Sequence, residues 1–266
     1  MKKLVFLFAV TVASLASCSS DDNDGGSSNG GGSKLAKSEV TTIEPDGTIS
    51  LVNYTYDGTK IATTSSSNSN KSVYTYNSNE LSKMENKVND ITQSYTDYVF
   101  EKGDVKSTTT YSVSAAAVPT KTSSVLYTYD EAAKTQTTQT TFYPNGVPTV
   151  SNTTTVNTYD SNNLVKSVTT TVIDDKNDNV STINYIYDTK TNYMVNVTGK
   201  PANIVKAKNN PVTLNTTVVV KTDNVIGTPV TTQSTFEYTY DDSSFPTEVK
   251  SYTGGKLTSS KVIFYN

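Results

Sequence analysis

A short aromatic pattern recurs along the chain: two aromatic residues flank one other residue and precede an acid or an amide. Aromatic side chains two residues apart share one face of a strand, and Asp or Asn starts a turn by bonding its own backbone. Each copy therefore predicts one β-hairpin, with copies on the order of 20–30 residues apart. Full copies lie at 54–57, 74–77, 127–130, 185–188 and 238–241, with weaker copies at 98–101 and 157–160. Several copies have an apolar residue five positions after the second aromatic residue, namely Ile61, Leu81, Val105, Leu164 and Phe245.

Turn signals and alternating polarity extend this prediction to the rest of the chain. Asp57-Gly58 and Gly254-Gly255 supply the positive φ angles of tight hairpins, and Val230–Tyr240 alternates an apolar face with a polar one. Between the last two full copies we expect a degenerate unit with a strand at 212–220 and a turn at 223–229. The sequence predicts an all-β domain at 38–266, a long antiparallel β-meander of repeated hairpins that curves into an open or closed barrel-like sheet.

The residue types that are missing exclude several kinds of chemistry. The chain has no His, 22 Lys and no Arg, and one Cys, which excludes Ser-His-Asp and Cys-His nucleophiles, multi-thiolate zinc sites and an internal disulfide framework. Its net charge of −3 becomes more negative if Lys2 and Lys3 are removed with a leader, which argues against nucleic acid as a partner. We predict no catalytic residue, no cofactor-binding residue, no metal site and no cofactor.

The N-terminus carries the signals of an exported protein. Residues 1–17 combine Lys2 and Lys3 with a short apolar segment and small residues, as a signal peptide does. The segment that ends at Cys18 resembles the bacterial lipobox, which implies that Cys18 is lipidated and becomes the first mature residue. Residues 18–37 then form an acidic, Gly/Ser-rich tether. The prediction is a lipid-anchored protein of the outer membrane.

The acidic start of the tether resembles the surface-export signal of Bacteroidota lipoproteins. It contains Asp21, Asp22 and Asp24 directly after the lipid-bearing cysteine. The resemblance implies exposure on the cell surface. Because acidic runs are also common in solvated linkers, a periplasm-facing location is the alternative.

The aromatic units, with Leu164-Val165-Lys166 after Asp160, resemble the YD repeats of RHS-type proteins. Together with the lipobox and the tether, they resemble more closely a family of Bacteroidota lipoproteins that has a domain of unknown function described as porin-like in fold. The resemblance covers 38–266 and implies a porin-like fold. The unit at Asp130 departs from the pattern, because it lacks both a Gly and an apolar return. The resemblance brings no functional residues with it.

Candidate sites in the sequence have simpler structural interpretations. The acids that end the aromatic units, Asp57, Asp130, Asp160, Asp188 and Asp241, fit a turn-capping role better than catalysis. The run Asp175-x-Asn177-x-Asn179 has calcium-loop spacing but lacks the Gly and the Glu of an EF-hand. The many Tyr side chains fit the inner face of the sheet, with a sugar-stacking strip as the alternative.

Two classes of function remain open. The first is a non-enzymatic, lipid-anchored surface module that binds a carbohydrate or protein partner, or plays a structural role. The alternative is a carboxylate-dependent polysaccharide hydrolase, which needs two acids close together in an aromatic-lined cleft. An integral outer-membrane channel is disfavoured because the predicted strand at 148–159 carries polar residues on both faces.

Overall fold

A single antiparallel sheet makes up almost all of the structure. The computed structural model describes residues 34–67, 69–101, 103–199 and 207–266. The predicted signal peptide, Cys18 and the acidic run lie outside the described residues. The strands are β1 (Ala36–Ile43), β2 (Thr48–Asp57), β3 (Lys60–Ser66), β4 (Asn70–Asn77), β5 (Glu80–Val88), β6 (Ile91–Glu101), β7 (Asp104–Val113), β8 (Pro119–Asp130), β9 (Thr135–Phe142), β10 (Thr149–Asp160), β11 (Asn163–Val172), β12 (Asp178–Thr191), β13 (Asn209–Thr222), β14 (Val225–Ile226), β15 (Val230–Tyr240), β16 (Pro246–Thr253) and β17 (Lys256–Tyr265). A 3₁₀ turn at Pro144–Gly146 joins β9 to β10.

The sheet closes on itself. Each long strand pairs with the strands before and after it in the chain, and β1 pairs with both β2 and β17. The short β14 pairs only with β13, which also pairs with β15, so sixteen strands form the barrel wall. The predicted all-β antiparallel meander is confirmed, and the alternative of an open sheet is wrong. Closure leaves no edge strand exposed.

The aromatic units form hairpins with a common irregularity. At β2–β3, Thr55 lies opposite Thr63 and Tyr56 lies opposite Ile61, which leaves Ala62 as a β-bulge. The apolar return residue therefore faces the second aromatic residue, as the repeat predicts. A bulge increases the local twist of a hairpin and helps to curve a sheet. The same register shift comes directly before the second aromatic residue of the unit at β4–β5, β6–β7, β10–β11 and β15–β16.

The two ends of the barrel differ. The turns after the aromatic units and both described chain ends, Lys34 and Asn266, lie at one end, which we call the aromatic end. The core of the protein lies there, where Tyr54, Ile61 and Leu81 are at most 1% exposed. Towards the opposite end, which we call the open end, the inner face carries Thr, Ser and Asn side chains that bond across strands, such as Thr96 to Thr110 and Ser72 to Asn86.

The connection between β12 and β13 supplies the rest of the core. Its residues 192–199, which we call the plug, enter the barrel at the aromatic end, where Met194 and Val197 are 6% and 3% exposed. Thr198 donates its backbone N–H to the carbonyl of Thr59 at 3.0 Å, which fixes the plug to the β2–β3 turn. Sixteen strands enclose more space than wall side chains can fill, and the plug fills part of it.

A buried carboxylate holds the plug against the wall. Glu39 is fully buried; its Oε1 accepts the hydroxyl of Tyr54 at 2.6 Å, and its Oε2 lies 2.7 Å from Nζ of Lys261. Burial and the neighbouring Glu39 carboxylate raise the pKa of Tyr193 in the plug well above its usual value, so the Tyr193 phenol stays neutral beside this charge. A buried charge is tolerated only when it is paired and hydrogen-bonded, so Glu39 depends on Tyr54 and Lys261.

The outer wall is polar over much of its surface. Thr55 bonds to Thr63 at 2.8 Å, and ion pairs join Lys83 to Glu85 at 3.9 Å and Lys250 to Glu248 at 3.6 Å. A wall in contact with lipid needs an outward apolar band, whereas this cross-strand hydrogen bond and these ion pairs within single strands suit contact with water. Separately, no helix in the described part of the chain is long and apolar enough to span a membrane.

Exposed apolar side chains cluster at the open end. Of the 21 large hydrophobic residues that are exposed in the described chain, sixteen lie in the open-end connections or in the strand ends beside them. We call these sixteen the collar: Ile43, Ile49, Val88, Ile91, Val118, Phe142, Val147, Val150, Val172, Ile173, Val218, Val220, Val225, Ile226, Val230 and Leu257.

The location of the core predicts very different effects for the same substitution at two leucines. Leu81 is 0% exposed beside the plug, whereas Leu126 is 50% exposed on the outer wall. Leu81→Ala should lower the free energy of unfolding by about 2–5 kcal/mol because it leaves a cavity. Leu126→Ala should change it by less than about 1 kcal/mol. Urea melts of both variants measure the difference, and equal losses would contradict a core confined to the aromatic end.

Candidate functional site

A cavity of about 400 Å³ opens at the aromatic end, beside the turns β8–β9 and β10–β11. We call it the Tyr129 pocket. Its wall combines two phenol rings, two amides, hydroxyls and charged groups. The lining residues are Asp104, Tyr129, Asp130, Glu131, Lys134, Thr135, Gln136, Tyr159, Ser161 and Asn162.

The floor of the pocket is a hydrogen-bonded network on neighbouring strands. Gln136 lies opposite both Tyr129 and Asn157 in the sheet. Its Nε2 donates to the Tyr129 hydroxyl at 2.7 Å, and its Oε1 accepts from Asn157 at 3.2 Å and from the Tyr159 hydroxyl at 3.4 Å. Gln136 is only 9% exposed. These bonds hold the two phenol groups in fixed positions in the wall.

The repeat is broken at this site. Gln136 lies opposite the second tyrosine of its unit, where the hairpin β2–β3 has Ile61 and the hairpin β4–β5 has Leu81. Asn157 occupies the place of the first aromatic residue in its own unit. The two polar substitutions are directly opposite each other across β9 and β10. The sequence already showed that the unit at Asp130 departs from the repeat. That its Gln136 faces Asn157, however, follows only from the register of β9 and β10.

Carboxylates surround the mouth of the pocket. Asp104 begins β7, Asp130 ends β8, and Glu131 follows in the turn, with Lys134 nearby. Oδ1 of Asp130 accepts the backbone N–H of Ala133 at 2.9 Å. One oxygen of Asp130 is therefore engaged in the turn. Two acids in an aromatic-lined cavity are also the arrangement that the hydrolase alternative needs.

The other acids of the repeat do not line this pocket. Asp188 accepts the N–H groups of Lys190 and Asn210, and Asp160 accepts the hydroxyl of Ser161. Asp241 accepts two backbone N–H groups and forms a 2.6 Å ion pair with Lys34. Burial opposes ionisation of Asp241, but these partners outweigh it and lower its pKa. At Asp57 the turn is made by Gly58, which has a φ of +59°. The bonds from residues two to four positions further on, at Asp188 and Asp241, are what turn capping predicts, whereas the bond from Asn210 and the ion pair with Lys34 are long-range.

The calcium-like run does not form a site. Asn177 Nδ2 donates to both oxygens of Asp174 at 2.7 and 2.6 Å, and its Oδ1 accepts the N–H of Asp223. The oxygen that would face a metal is therefore used between two turns. Within the described ranges, no group of three His, Cys, Asp or Glu side chains could hold a metal ion.

Tyrosines occupy both faces of the sheet, which the sequence did not predict. The first tyrosines of two units are the deepest, with Tyr54 and Tyr74 at 1% and 8% exposed. On the outer wall, the rings of Tyr95 and Tyr111 stack at 4.7 Å, with Nζ of Lys83 4.1 Å from the Tyr95 ring. These two rings lie outside the repeat units, so the spacing of the units gave no signal for them.

Comparison with known proteins shows likeness in fold. A porin-like protein from Bacteroides vulgatus ATCC 8482 superposes with a TM-score of 0.59 at 11% identity, covering 88% of this chain and 99% of that one. A porin-like protein from Bacteroides uniformis ATCC 8492 gives a TM-score of 0.49 at 12% identity, covering 87% and 96%. No protein-family model matches the chain. No curated protein matches it either. The porin-like fold that the sequence resemblance implied is supported by the first of these structures.

The surroundings of Tyr143 and Tyr159 predict that Tyr143 ionises at a lower pH than Tyr159. Burial raises the pKa of Tyr159 to about 12, and neighbouring Tyr129 adds to the shift. Hydrogen bonds from Lys121 and Ser124 lower the pKa of Tyr143 below its usual 10.0. In a titration to high pH, the Tyr143→Phe variant should therefore lack the part of the phenolate absorbance that appears at the lowest pH. The Tyr159→Phe variant should give the same absorbance as the unaltered protein below about pH 11.

The raised pKa of Tyr159 also makes the free energy of unfolding depend on pH. Tyr159 stays neutral in the folded protein up to about pH 12, whereas in the unfolded chain it ionises near pH 10. Its contribution to the free energy of unfolding is therefore fully present below pH 10 and is lost as the pH rises towards 12. Urea melts at pH 9 and pH 11 should therefore show lower stability at pH 11, with a smaller drop in Tyr159→Phe. An equal drop in the variant would contradict a buried Tyr159.

Proposed function

We propose that the protein is a lipid-anchored component of the cell envelope that binds carbohydrate in the Tyr129 pocket. The observation that carries the proposal is the convergence of Gln136 and Asn157, the two polar breaks in the repeat, on one floor beneath two tyrosines. An apolar residue at either position would serve the core, as Ile61 does elsewhere. Polar residues that replace apolar core residues at the wall of an open cavity are typical of a binding site.

The chemistry of the pocket suits a sugar. Phenol rings offer apolar faces to the C–H groups of a pyranose. The amide of Gln136 is held in place by three partners, so binding needs little reordering of the wall. Asp130, Ser161 and Asn162 add acceptors and donors for sugar hydroxyls at the rim.

The proposed anchor supports an envelope location. Lipidation at Cys18 would leave sixteen residues before Lys34, which enters the barrel at the aromatic end. A flexible tether of that length spans about 20–24 Å on average, so the Tyr129 pocket would stay near the membrane surface. The polar outer wall, with its ion pairs, also suits a barrel that is held at a membrane by a tether. The run Asp21, Asp22 and Asp24 supports exposure on the cell surface.

Anchoring is tested by one substitution. Cys18→Ala removes the only thiol of the chain and should block lipid attachment, which leaves the protein soluble or as an unprocessed precursor. Cell fractionation and labelling with a palmitate analogue measure the outcome, with Ser19→Ala as the control. A mature, membrane-bound Cys18→Ala protein would contradict the lipid anchor.

Carbohydrate binding is tested with the barrel, residues 34–266, on a glycan array followed by titration of the best-bound glycan. Gln136→Leu installs the apolar residue that the repeat carries elsewhere, so the fold should persist while affinity falls at least about tenfold. Gln233→Leu, on the exposed outer wall, is the matched control and should bind like the unaltered barrel. Equal binding by both variants, or no bound glycan at all, would contradict the proposal.

The hydrolase alternative is favoured by one observation, the presence of Asp104 and Asp130 in the same pocket. Prolonged incubation of the barrel with the bound glycan, followed by a reducing-end assay, distinguishes the two functions. A binding module releases no new reducing ends. Release that is abolished in both Asp104→Asn and Asp130→Asn would make the protein a carboxylate-dependent hydrolase.

A further inference from the structure

The collar is an unusual distribution of apolar surface. Seven of the eight open-end connections have at least one exposed Ile, Val, Leu or Phe in the connection or in the strand ends beside it, and the exception is the β3–β4 turn. The most exposed members are Ile226 at 73%, Val225 at 69%, and Ile49 and Ile91 at 66% each. Scattered single hydrophobic residues are normal on a protein surface, but a concentration at one end of a molecule marks an interaction surface.

We propose that the collar docks against the collar of a second copy of this chain, so that two barrels meet open end to open end. The collar follows the circumference of a closed sixteen-stranded sheet. A second copy carries a ring of the same diameter and can cover the whole collar at once through a two-fold axis. This inference is independent of the Tyr129 pocket, which lies at the other end.

The amount of apolar surface is sufficient for such a contact. A stable interface hides roughly 800 Å² on each partner, which for sixteen side chains is about 50 Å² each. That is less than half of the surface of a valine or an isoleucine. Four of the collar residues, Val218, Val220, Val225 and Val230, share the lumen-facing side of the wall where β13, β14 and β15 meet, and they form one continuous sector of the collar.

The charges of the open end can pair between copies. Its connections contain Glu44, Asp46 and Asp175, and lysines stand beside them at Lys176 and Lys256. Ion pairs of this kind already form within one copy, where Lys71 lies 3.6 Å from Asp90. A rim with both signs can face itself in a register that places opposite charges together. The carboxylates also disfavour a bilayer as the occupant, because burying them against anionic headgroups is costly.

The position of the chain end is compatible with this arrangement. Lys34 lies at the aromatic end, so a collar-to-collar pair leaves both N-termini at its outer ends. If Cys18 is lipidated, each sixteen-residue tether can extend to roughly 53–58 Å. Two tethers of that reach let the pair lie lengthwise along one membrane. Each barrel carries its plug at the aromatic end, so the two plugs would lie at the outer ends of the pair.

The test is the mass of the barrel in solution. The sheet closes between Ala36 and Tyr265 without residues 1–33, so sedimentation velocity can use residues 34–266. We expect a species of twice the chain mass at about 100 µM, and the triple variant Ile49→Ser, Ile91→Ser, Ile226→Ser should weaken it at least about 100-fold. The matched control Val99→Ser, Ile186→Ser, Phe264→Ser changes residues 55%, 53% and 48% exposed outside the collar and should leave the dimer intact.

A cross-link identifies the face that is used. Residues 34–266 contain no cysteine, so Asp46→Cys at the open end and Glu131→Cys at the aromatic end each introduce a single thiol. A short bis-maleimide should couple two copies of the first variant and not of the second. The proposal would be overturned by a barrel that is monomeric at about 100 µM, or by a control triple variant that dissociates as much as the collar variant does. Coupling through Glu131→Cys would also overturn it. So would pelleting of the barrel with neutral phosphatidylcholine vesicles, if the collar variant no longer pellets.

Discussion

The girth of the sheet is the constraint on which the rest of the structure depends. A wall of sixteen antiparallel strands encloses more volume than its inward side chains can occupy. A continuous core along the barrel is therefore impossible. Burial is concentrated at the aromatic end, where the plug brings Met194 and Val197 against Tyr54, Ile61 and Leu81. The remaining inner wall is lined by hydroxyl and amide groups that satisfy each other across strands, as Thr155 and Thr169 do at 3.0 Å.

Because the plug is a connection rather than a strand, its position has to be specified by side chains. Glu39 provides that specification at the cost of burying a charge. Its partners Tyr54 and Lys261 come from β2 and β17, and Tyr193 of the plug lies beside the same carboxylate, so all three elements meet at one buried charge. Polar interactions of this kind favour one arrangement over others that would bury the same apolar area. The pair Met194 and Val197 supplies burial, and Glu39 supplies the orientation.

The repeat explains how much could be predicted from the sequence. Tyr56 and Ile61, or Tyr76 and Leu81, are close in the chain, and their spacing alone predicts a hairpin with one aromatic face. The predicted strand at 212–220 and turn at 223–229 also agree with β13 and with the β14 region. Closure between β1 and β17 joins residues more than 200 positions apart, and no local pattern specifies it. The same holds for the plug and for the Tyr129 pocket, because Gln136 and Asn157 meet only through the register of β9 and β10. The outward Tyr95 and Tyr111 belong to no repeat unit.

The hairpin unit also determines the size of the barrel. Each aromatic hairpin adds two strands to the wall and brings its own turn and bulge, while its contacts are mostly with the hairpins beside it. Gain or loss of one unit by duplication or deletion would therefore change the circumference by about 9–10 Å, two inter-strand spacings. The wall could accept such a change locally, but the plug could not, since a segment of fixed length would meet a wider or narrower opening. Chains built on this repeat are thus expected to vary in strand number only together with the sequence of the segment that fills them.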